Sequence, residues 1–218
     1  MKRKTLGLLH TSASLVPVFA QLCKAKLPQV DTFNLVDDSL VPAIGAHGLT
    51  AAISRRVAGY LAAAEAAGAD YILVTCSSIG PAVEAAAPLT GVPVLRVDQP
   101  MADRAVRTGK RIGVIATLPT TLVPTADLIQ RRAALAGRPI ELVSRLCEGA
   151  FAALMGGDAA KHDAMVAAAL KELGGAVDVI VLAQASMARV VDGLPAAERR
   201  VPILASPALA IEYLAGAL

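Results

Sequence analysis

The feature that most constrains this chain is a segment that occurs twice, about half the chain length apart. Residues 70–78 read Asp-Tyr-Ile-Leu-Val-Thr-Cys-Ser-Ser, and residues 178–186 read Asp-Val-Ile-Val-Leu-Ala-Gln-Ala-Ser. The first aspartate, the isoleucine and the last serine coincide at an offset of 108 residues (178 − 70). At this offset Cys76 of the first copy corresponds to Gln184 of the second. The repeat predicts two similar halves that differ at a chemically important position.

Two further segment pairs follow in the same order. The segment Leu6–Thr11 matches residues 112–117 at an offset of 106, and Val92–Leu95 matches Val201–Leu204 at an offset of 109. Strand and helix signals alternate in both halves, which favours mostly parallel sheets flanked by helices. We therefore predict an α/β fold with two pseudo-symmetric lobes and a site in the cleft between them. Residues 1–98 with 206–218 form the first predicted lobe, and residues 99–205 form the second.

Short apolar runs bounded by turn residues give the predicted strands. These are Thr5–Leu9, Val30–Leu35, Tyr71–Thr75, Pro93–Val97, Arg111–Ala116, Ile140–Val143, Val179–Leu182 and Val201–Leu204. Helices are predicted over Leu15–Lys26, from Thr50 to Gly68, from Pro81, over Met101–Thr108 and Thr125–Ala136, from Asp158 to Gly174, and after Pro207. Thr50 and Asp158 are residue types that cap helix N-termini. The segment Val36–Gly48 has no clear period and is predicted to be a loop.

Composition excludes several classes of function. Of the 218 residues, 55% are hydrophobic, and a net charge of +3 comes from scattered Lys and Arg, so nucleic-acid binding is not expected. Three widely spaced cysteines indicate neither a disulfide framework nor a metal site, and they favour a reducing cytoplasm. Phosphate and dinucleotide motifs are absent, so we expect no cofactor. No apolar run suits a membrane span. The N-terminal run resembles a signal peptide but is better interpreted as the first strand.

The candidate site residues follow the predicted strands, because ligands bind beyond the carboxyl ends of strands in open parallel sheets. They are His10, Thr11, Ser12, Cys76, Ser77, Ser78, Asp98, Thr117, Gln184, Ala185 and Ser186. Cys76 stands out because it lies between a buried strand and a helix start, where a thiolate is favoured. The alternative for Cys76 is a small buried hydrophobe.

Other titratable residues are interpreted less specifically. His10 is either a general acid or a hydrogen-bond partner of a loop carbonyl. His47 is placed in a loop that closes over the cleft, and His162 on an exposed helix face. Cys23 is expected inside a helix, and Cys147 away from any strand end.

These motifs resemble the aspartate/glutamate racemase superfamily, which includes hydantoin racemases, maleate isomerases and arylmalonate decarboxylases. The resemblance covers nearly the whole chain and rests on the repeat, the Cys76-Ser77-Ser78 loop, and the segments Arg111–Thr117 and Asp178–Ser186. It implies two α/β lobes with a cofactor-free site, where strand-end loops bind a substrate carboxylate through backbone N–H groups and hydroxyls.

In the racemases of this superfamily, one cysteine removes the α-proton and another delivers a proton to the opposite face. Cys76 is similar to the first of these cysteines, whereas Gln184 stands in the place of the second. An amide does not exchange protons near neutral pH, but it donates hydrogen bonds to an oxyanion or a carboxylate. The resemblance therefore implies a thiol on one side of the substrate only.

Three functional hypotheses follow. The first is a cofactor-independent enzyme that acts on a small carboxylate, amino acid or cyclic amide, with Cys76 as its single thiol. Its reaction is an isomerisation, a one-face protonation or a hydrolysis through a thioester. The second is a racemase whose second base is His10, Asp98 or Cys147, and the third is a non-catalytic carboxylate-binding protein. A homo-oligomer is compatible with each of them.

Overall fold

The computed structural model describes residues 3–218, and this part of the chain forms eight strands and ten α-helices. The chain divides into two compact units, Met1–Asp98 with Pro207–Leu218, and Gln99–Ser206. Each unit contains a four-stranded parallel sheet flanked by helices, which confirms the predicted α/β fold class.

The first unit carries four strands and five helices among the described residues. Strands β1–β4 are Thr5–His10, Asp31–Val36, Tyr71–Val74 and Val94–Arg96. Helices α1–α4 are Leu15–Lys26, Leu40–His47, Ala51–Ala66 and Gly80–Ala86. The last helix of the chain, α10, is Ser206–Ala217. The strand order is β2-β1-β3-β4, with every neighbouring pair parallel.

The second unit repeats this arrangement. Strands β5–β8 are Arg111–Ala116, Glu141–Leu146, Val179–Leu182 and Ile203–Ala205. Helices α5–α9 are Gln99–Thr108, Pro119–Leu135, Ala150–Met155, Ala159–Leu173 and Ala188–Gly193. The strand order is β6-β5-β7-β8. Leu6 pairs with Tyr71 as Ile112 pairs with Val179, so the register is also repeated.

The core lies on both faces of each sheet, because the central strands are continuous apolar runs that a parallel sheet buries on both sides. In β3, Ile72 packs with α3 and α4 on one face, and Leu73 packs with α1 and α10 on the other. In β7, Ile180 and Leu182 pack against α8 and α9. Burying one such side chain fully contributes about 1.5–3 kcal/mol, so these two central strands hold the sheets in place.

The aspartates of the repeat have a structural role. Asp70 Oδ2 accepts a hydrogen bond from the Thr5 N–H at 2.8 Å, and Asp178 Oδ2 accepts from the N–H groups of Lys110 and Arg111, each at 2.8 Å. Those backbone N–H donors hold the pKa of the Asp178 carboxyl below its usual range. Asp70 therefore fixes the start of β1, and Asp178 fixes the start of β5. In each sheet this is the end opposite to Cys76 or Gln184.

The predicted loop over Val36–Gly48 is wrong, because α2 occupies most of it. Leu40 and Ile44 lie one helical turn apart and are both buried, which stabilises a short helix without a longer amphipathic pattern. The helix is followed by Gly48, whose φ of 70° favours glycine. His47 is therefore the exposed last residue of this helix rather than part of a mobile loop.

The two predicted helix caps are confirmed. Thr50 Oγ1 accepts a hydrogen bond from the Ile53 N–H at 3.3 Å, and Asp158 Oδ1 accepts from the Lys161 N–H at 3.0 Å. Helix α6 begins at Pro119, six residues before the predicted start, and it contains Pro124. Among the described helices, none has the length and apolar character needed to cross a membrane.

Candidate functional site

Cys76 and Gln184 occupy the same structural position in the two units. Each lies two residues beyond the end of a central strand and directly before a 3-10 turn, Ser77–Ile79 or Ala185–Met187. The backbone at Cys76 has φ −129° and ψ 121°, and that at Gln184 has φ −135° and ψ 137°. The carboxyl end of each central strand therefore presents one of these two side chains from nearly the same backbone.

The Cys76 thiol is the most accessible of the three. Cys76 is half-buried, whereas Cys23 and Cys147 are buried. Burial raises the pKa of Cys23 to about 11, and burial also raises the pKa of Cys147, so their thiolates are disfavoured. Since the thiolate is the reactive form of cysteine, these two environments leave Cys76 as the candidate reactive thiol.

The Cys76 side chain stands on a well-packed loop. Ser77 and Ser78 are buried, and Ile79 is part of the apolar cluster that includes Val74 and Val83. A loop fixed in this way holds its side chains with little freedom, as a binding loop requires.

Gln184 is anchored by Thr117. Gln184 Oε1 accepts hydrogen bonds from the Thr117 N–H at 2.6 Å and from Thr117 Oγ1 at 2.8 Å. A backbone N–H can only donate, so the amide atom facing it is the oxygen, and this fixes which way the carboxamide points. The side-chain NH2 group is then directed away from Thr117 as a hydrogen-bond donor. Gln184 and Ser186 are both half-buried, in the segment that follows β7.

The His10 ring makes its contacts within the protein. Its side chain is fully buried, Nδ1 lies 2.9 Å from Thr75 Oγ1, and Nε2 lies 2.9 Å from Asn34 Oδ1. Burial lowers the pKa of this imidazole, so the ring is held neutral. The interpretation of His10 as the partner of a loop carbonyl is wrong, because its ring nitrogens meet a hydroxyl and an amide. The ring supports Thr75, which directly precedes Cys76, and a general-acid role for His10 stays a prediction.

A buried ion-pair network lies under the Cys76 loop. The guanidinium of Arg96, the last residue of β4, donates to both oxygens of Asp98 at 3.0 and 2.7 Å, and to Glu84 Oε1 at 2.9 Å. A Cβ added at Gly80 would stand 2.3 Å from Arg96 Cζ, so this glycine lets the guanidinium pack against the start of α4. Asp98 is fully buried, and both of its carboxylate oxygens accept hydrogen bonds from Arg96. This carboxylate is therefore unsuitable as a free base.

The remaining predicted residues stand at the same strand ends. Thr11 follows β1 and is buried, as Thr117 follows β5 and is buried. Ser12 is half-buried and its Oγ lies 2.8 Å from Ser14 Oγ. Ala185 is half-buried in the 3-10 turn after Gln184. Whether these residues contact a ligand stays a prediction.

Two other interpretations from the sequence are wrong. Cys147 directly follows the end of β6, because that strand extends to Leu146, three residues beyond the predicted end. His162 is fully buried rather than exposed. It lies on the inner face of α8 with Val166, one helical turn away. The sequence of α8 is rich in alanine, so it gives little sign of which face of the helix is buried.

Within residues 3–218, no group of three His, Cys, Asp or Glu side chains is arranged to hold a metal ion.

Comparisons with known proteins support one family. The family model described as Asp/Glu/Hydantoin racemase matches residues 6–214. Among curated protein sequences, none matches this chain.

Similar solved structures share the fold. A glutamate racemase isoform from Bacillus anthracis has a TM-score of 0.74 at 19% identity, covering 100% of this chain and 82% of that chain. Allantoin racemase from Klebsiella pneumoniae has a TM-score of 0.72 at 21% identity, covering 99% and 87%. Glutamate racemase from Francisella tularensis in complex with D-glutamate has a TM-score of 0.71 at 18% identity, covering 100% and 81%.

Proposed function

Because this chain belongs to the Asp/Glu/hydantoin racemase family, we propose that it is a cofactor-independent enzyme in which Cys76 is the single reactive thiol. Its substrate is a small carboxylate, amino acid or cyclic amide. The single observation that carries the proposal is the equivalence of Cys76 and Gln184 at matching strand ends. The repeat offers one thiol where two-thiol racemisation needs two.

The chemistry of the two side chains supports proton transfer on one face of the substrate. A thiolate at Cys76 takes a proton from the carbon next to a carboxylate, and the electron pair of that C–H bond moves into the enolate. An S–H group at Cys76 returns a proton to the same carbon by the reverse step. Gln184 cannot exchange a proton near neutral pH, so the position in the second unit that is equivalent to Cys76 supplies no proton.

The anchored amide supports a second role for Gln184. Because Thr117 holds Oε1, the NH2 group is directed as a donor before any ligand arrives. Donors that need no reorganisation stabilise the developing negative charge of an enolate or a carboxylate. We therefore assign Gln184 to charge stabilisation.

The ligand class follows from the hydroxyls at the strand ends and from the relatives. Hydroxyls stand at the strand ends of both units, at Thr11, Ser77, Ser78 and Ser186, and the Thr117 hydroxyl acts through the Gln184 amide. Hydroxyls and backbone N–H groups are suited to a carboxylate or an amide carbonyl. One similar structure contains D-glutamate and another is an allantoin racemase, so the proposed substrates include both an amino acid and a cyclic amide.

A cytoplasmic location and a homo-oligomeric state complete the proposal. The three cysteines are free thiols, which fits a reducing compartment. Sedimentation of the purified protein measures the oligomeric state directly.

Alkylation of the thiols tests the assignment of Cys76. Iodoacetamide followed by mass spectrometry should modify Cys76 at least about tenfold faster than Cys23, because the thiolate of Cys23 is disfavoured by burial. D-Glutamate, L-aspartate and allantoin are the first protecting ligands to try, and one that binds should slow the modification of Cys76. Equal labelling of Cys76 and Cys23 in the folded protein would contradict the proposal.

A carboxylate-binding protein without catalysis is the second candidate, since the anchored Gln184 amide suits binding as well as catalysis. Thermal shift with the same three ligands identifies binding. In an enzyme, Cys76→Ala abolishes turnover while the thermal shift persists. In a binding protein, the wild-type chain gives the thermal shift without any turnover.

A further inference from the structure

The second unit contains a cavity whose lining includes neither Gln184 nor Thr117. Its volume is about 390 Å³, and the residues that line it are Val191, Arg199, Arg200, Val201, Pro202 and Ile203. Small-molecule sites in proteins have volumes of about 300–1,000 Å³, so this cavity has room for a small ligand. Its lining combines two guanidinium groups with an apolar wall.

The cavity lies at the amino end of the second sheet. Val201 and Pro202 directly precede β8, and the Pro202 carbonyl accepts a hydrogen bond at 2.9 Å from the N–H of Ile180, the second residue of β7. Gln184 lies at the other end of β7, two residues beyond Leu182. A ligand in this cavity is therefore at the opposite end of the sheet from Gln184.

The Arg199 guanidinium is held by backbone carbonyls and keeps its full charge. Its Nε donates to the Leu194 carbonyl at 3.0 Å, and its Nη2 donates to the Asp192 carbonyl at 3.3 Å. These two bonds fix the orientation of the guanidinium and leave three of its five N–H groups for a further partner. The carboxylate of Glu198, the preceding residue, is paired with Lys171 at 3.0 Å.

The second cation of the cavity, Arg200, makes no ion pair or side-chain hydrogen bond with any residue that the structure describes. Its Nη1 lies 3.8 Å from the position of a Cβ added at Gly175, just beyond the end of α8. A cation near a helix C-terminus is favourable, but this interaction uses none of the five N–H donors. Among the described residues, no Asp or Glu lines the cavity, so both positive charges lack a carboxylate partner there.

We propose that this cavity binds a small organic phosphate, with the phosphoryl group on Arg199 and Arg200 and the organic part on the apolar wall. A phosphate monoester carries a charge of about −1.5 to −2 near pH 7, which matches two uncompensated guanidinium groups better than a single carboxylate does. Guanidinium groups also bond two phosphate oxygens at once. The apolar wall gives an organic phosphate a contact that inorganic phosphate lacks.

Isothermal titration calorimetry of the full chain with phenyl phosphate tests the proposal. We expect saturable binding that is at least about tenfold tighter than that of inorganic phosphate, which cannot reach the apolar wall. Benzoate and benzyl alcohol keep the ring with one negative charge or none, and each should also bind at least about tenfold more weakly. Absence of saturation by phenyl phosphate at about 10 mM would overturn the proposal. Equal affinity for any of the other three compounds would also overturn it.

Substitution of the two arginines tests which groups hold the phosphate. Arg199→Gln and Arg200→Gln each remove one cation, and we expect each to weaken the binding of phenyl phosphate at least about tenfold. Arg138→Gln is the matched control, because Arg138 is an exposed arginine of the second unit outside the cavity, without an ion pair to the described residues. Its affinity should stay within about twofold of wild type. Wild-type affinity in both cavity variants would contradict the assignment.

Arg200→Lys separates phosphate binding from the stability of α8. The variant keeps a positive charge near the end of the helix but loses the planar guanidinium. We expect its Tm to stay within about one degree of wild type, while its affinity for phenyl phosphate falls at least about threefold. Unchanged affinity in Arg200→Lys and Arg200→Gln alike would show that Arg200 acts on α8 only, and would overturn the proposed site.

Amide NMR spectra of the full chain locate the bound phenyl phosphate. We expect the N–H signals of Val201 and Ile203 to shift and to saturate together with the calorimetric binding. Shifts confined to Gln184 and Ser186 would place the phosphate at the strand ends and would overturn the proposal.

The phosphate site and the thiol proposal fail independently. The inference does not rest on the proposed function, because Cys76 and Gln184 do not line the cavity. Cys76→Ala should therefore leave the affinity for phenyl phosphate within about twofold of wild type, and Arg199→Gln should leave the alkylation rate of Cys76 within the same limit. Loss of thiol reactivity alone affects only the proposed function, and absence of phenyl phosphate binding affects only the cavity.

Discussion

Cys76 and Gln184 are presented by nearly identical backbone, with φ of −129° and −135° and ψ of 121° and 137°, at the carboxyl ends of the two central strands. The two units therefore share their backbone geometry at this position, with a thiol in the first unit and an amide in the second. In the second unit the amide is tied to Thr117, so its orientation is fixed.

Thr117→Val tests the anchoring of Gln184. The variant keeps the backbone N–H bond to Oε1 but loses the hydroxyl bond, so we expect a loss of about 1 kcal/mol in the free energy of unfolding. The side-chain NH2 resonances of Gln184 should broaden as the carboxamide gains freedom. Thr117→Ser restores the hydroxyl and should recover both values, whereas wild-type behaviour of Thr117→Val would show that the hydroxyl bond contributes nothing.

Gly80→Ala tests the close packing of Arg96 under the Cys76 loop. The new Cβ would stand 2.3 Å from Arg96 Cζ, and the guanidinium is held by three hydrogen bonds, so the loop or the network must shift. We expect a loss of about 1–3 kcal/mol in urea denaturation.

Gly59→Ala is the matched control for Gly80→Ala. Gly59 lies inside α3 with nothing within 4 Å of an added Cβ. Alanine is favoured over glycine in a helix interior by about 1 kcal/mol, so this variant should be more stable than wild type. The steric account is excluded if the two variants change stability in the same direction.

Asp98→Asn tests the buried ion pair. Arg96 and Asp98 are 3% and 0% exposed, so removing the carboxylate leaves a guanidinium in the interior with reduced compensation. We expect a loss of about 3–5 kcal/mol in the free energy of unfolding. The exposed Asp127–Arg131 pair is the control, and Asp127→Asn should cost about 0.3–0.5 kcal/mol at most. Similar losses for both variants would show that burial does not strengthen the Arg96–Asp98 pair.

The burial of the His10 ring predicts a specific pH dependence of the free energy of unfolding. Burial holds its pKa below 6.5, so the unfolded chain binds a proton on this ring at higher pH than the folded chain does. Stability therefore falls as the pH drops through about 6.5, and the contribution of this ring is constant well above that value. Asp37 and Asp178, whose pKa values are lowered, add a loss of stability only in the more acid range, as the pH falls through about 3.8.

Denaturation of His10→Asn between pH 5 and 8 measures this contribution. The variant should be less stable overall, because the bond to Thr75 is altered, but its stability should fall less steeply below pH 6.5 than that of wild type. Parallel curves for the two proteins would show that burial of the His10 ring does not affect proton binding.

The sequence predicted the architecture well, because the repeated segments occur in the same order and at nearly the same spacing in both halves. The strand Val179–Leu182 and the helix Leu15–Lys26 have the bounds that were predicted, since apolar runs and caps are local signals. Helix α2 was missed because two buried residues, Leu40 and Ile44, are too few to show a helical period. A short helix of this kind is stabilised by the tertiary core.

The candidate site was predicted by position rather than by contact. The sequence placed Cys76 and Gln184 at corresponding strand ends, but it gave no sign that Thr117 holds the amide or that Arg96 lies under Gly80. Those contacts join residues that are 67 and 16 positions apart (184 − 117 and 96 − 80), so local sequence patterns do not predict them. The burial of His162 was missed for the same reason.

The most direct test of the one-thiol account is solvent deuterium exchange at Cα, followed by NMR for both enantiomers of a ligand found by thermal shift. We predict that wild-type protein exchanges deuterium into one enantiomer only and that Cys76→Ala exchanges neither. Gln184→Cys, which places a second thiol on equivalent backbone, should extend exchange to both enantiomers. Exchange into both enantiomers by the wild-type protein, at comparable rates, would contradict the account.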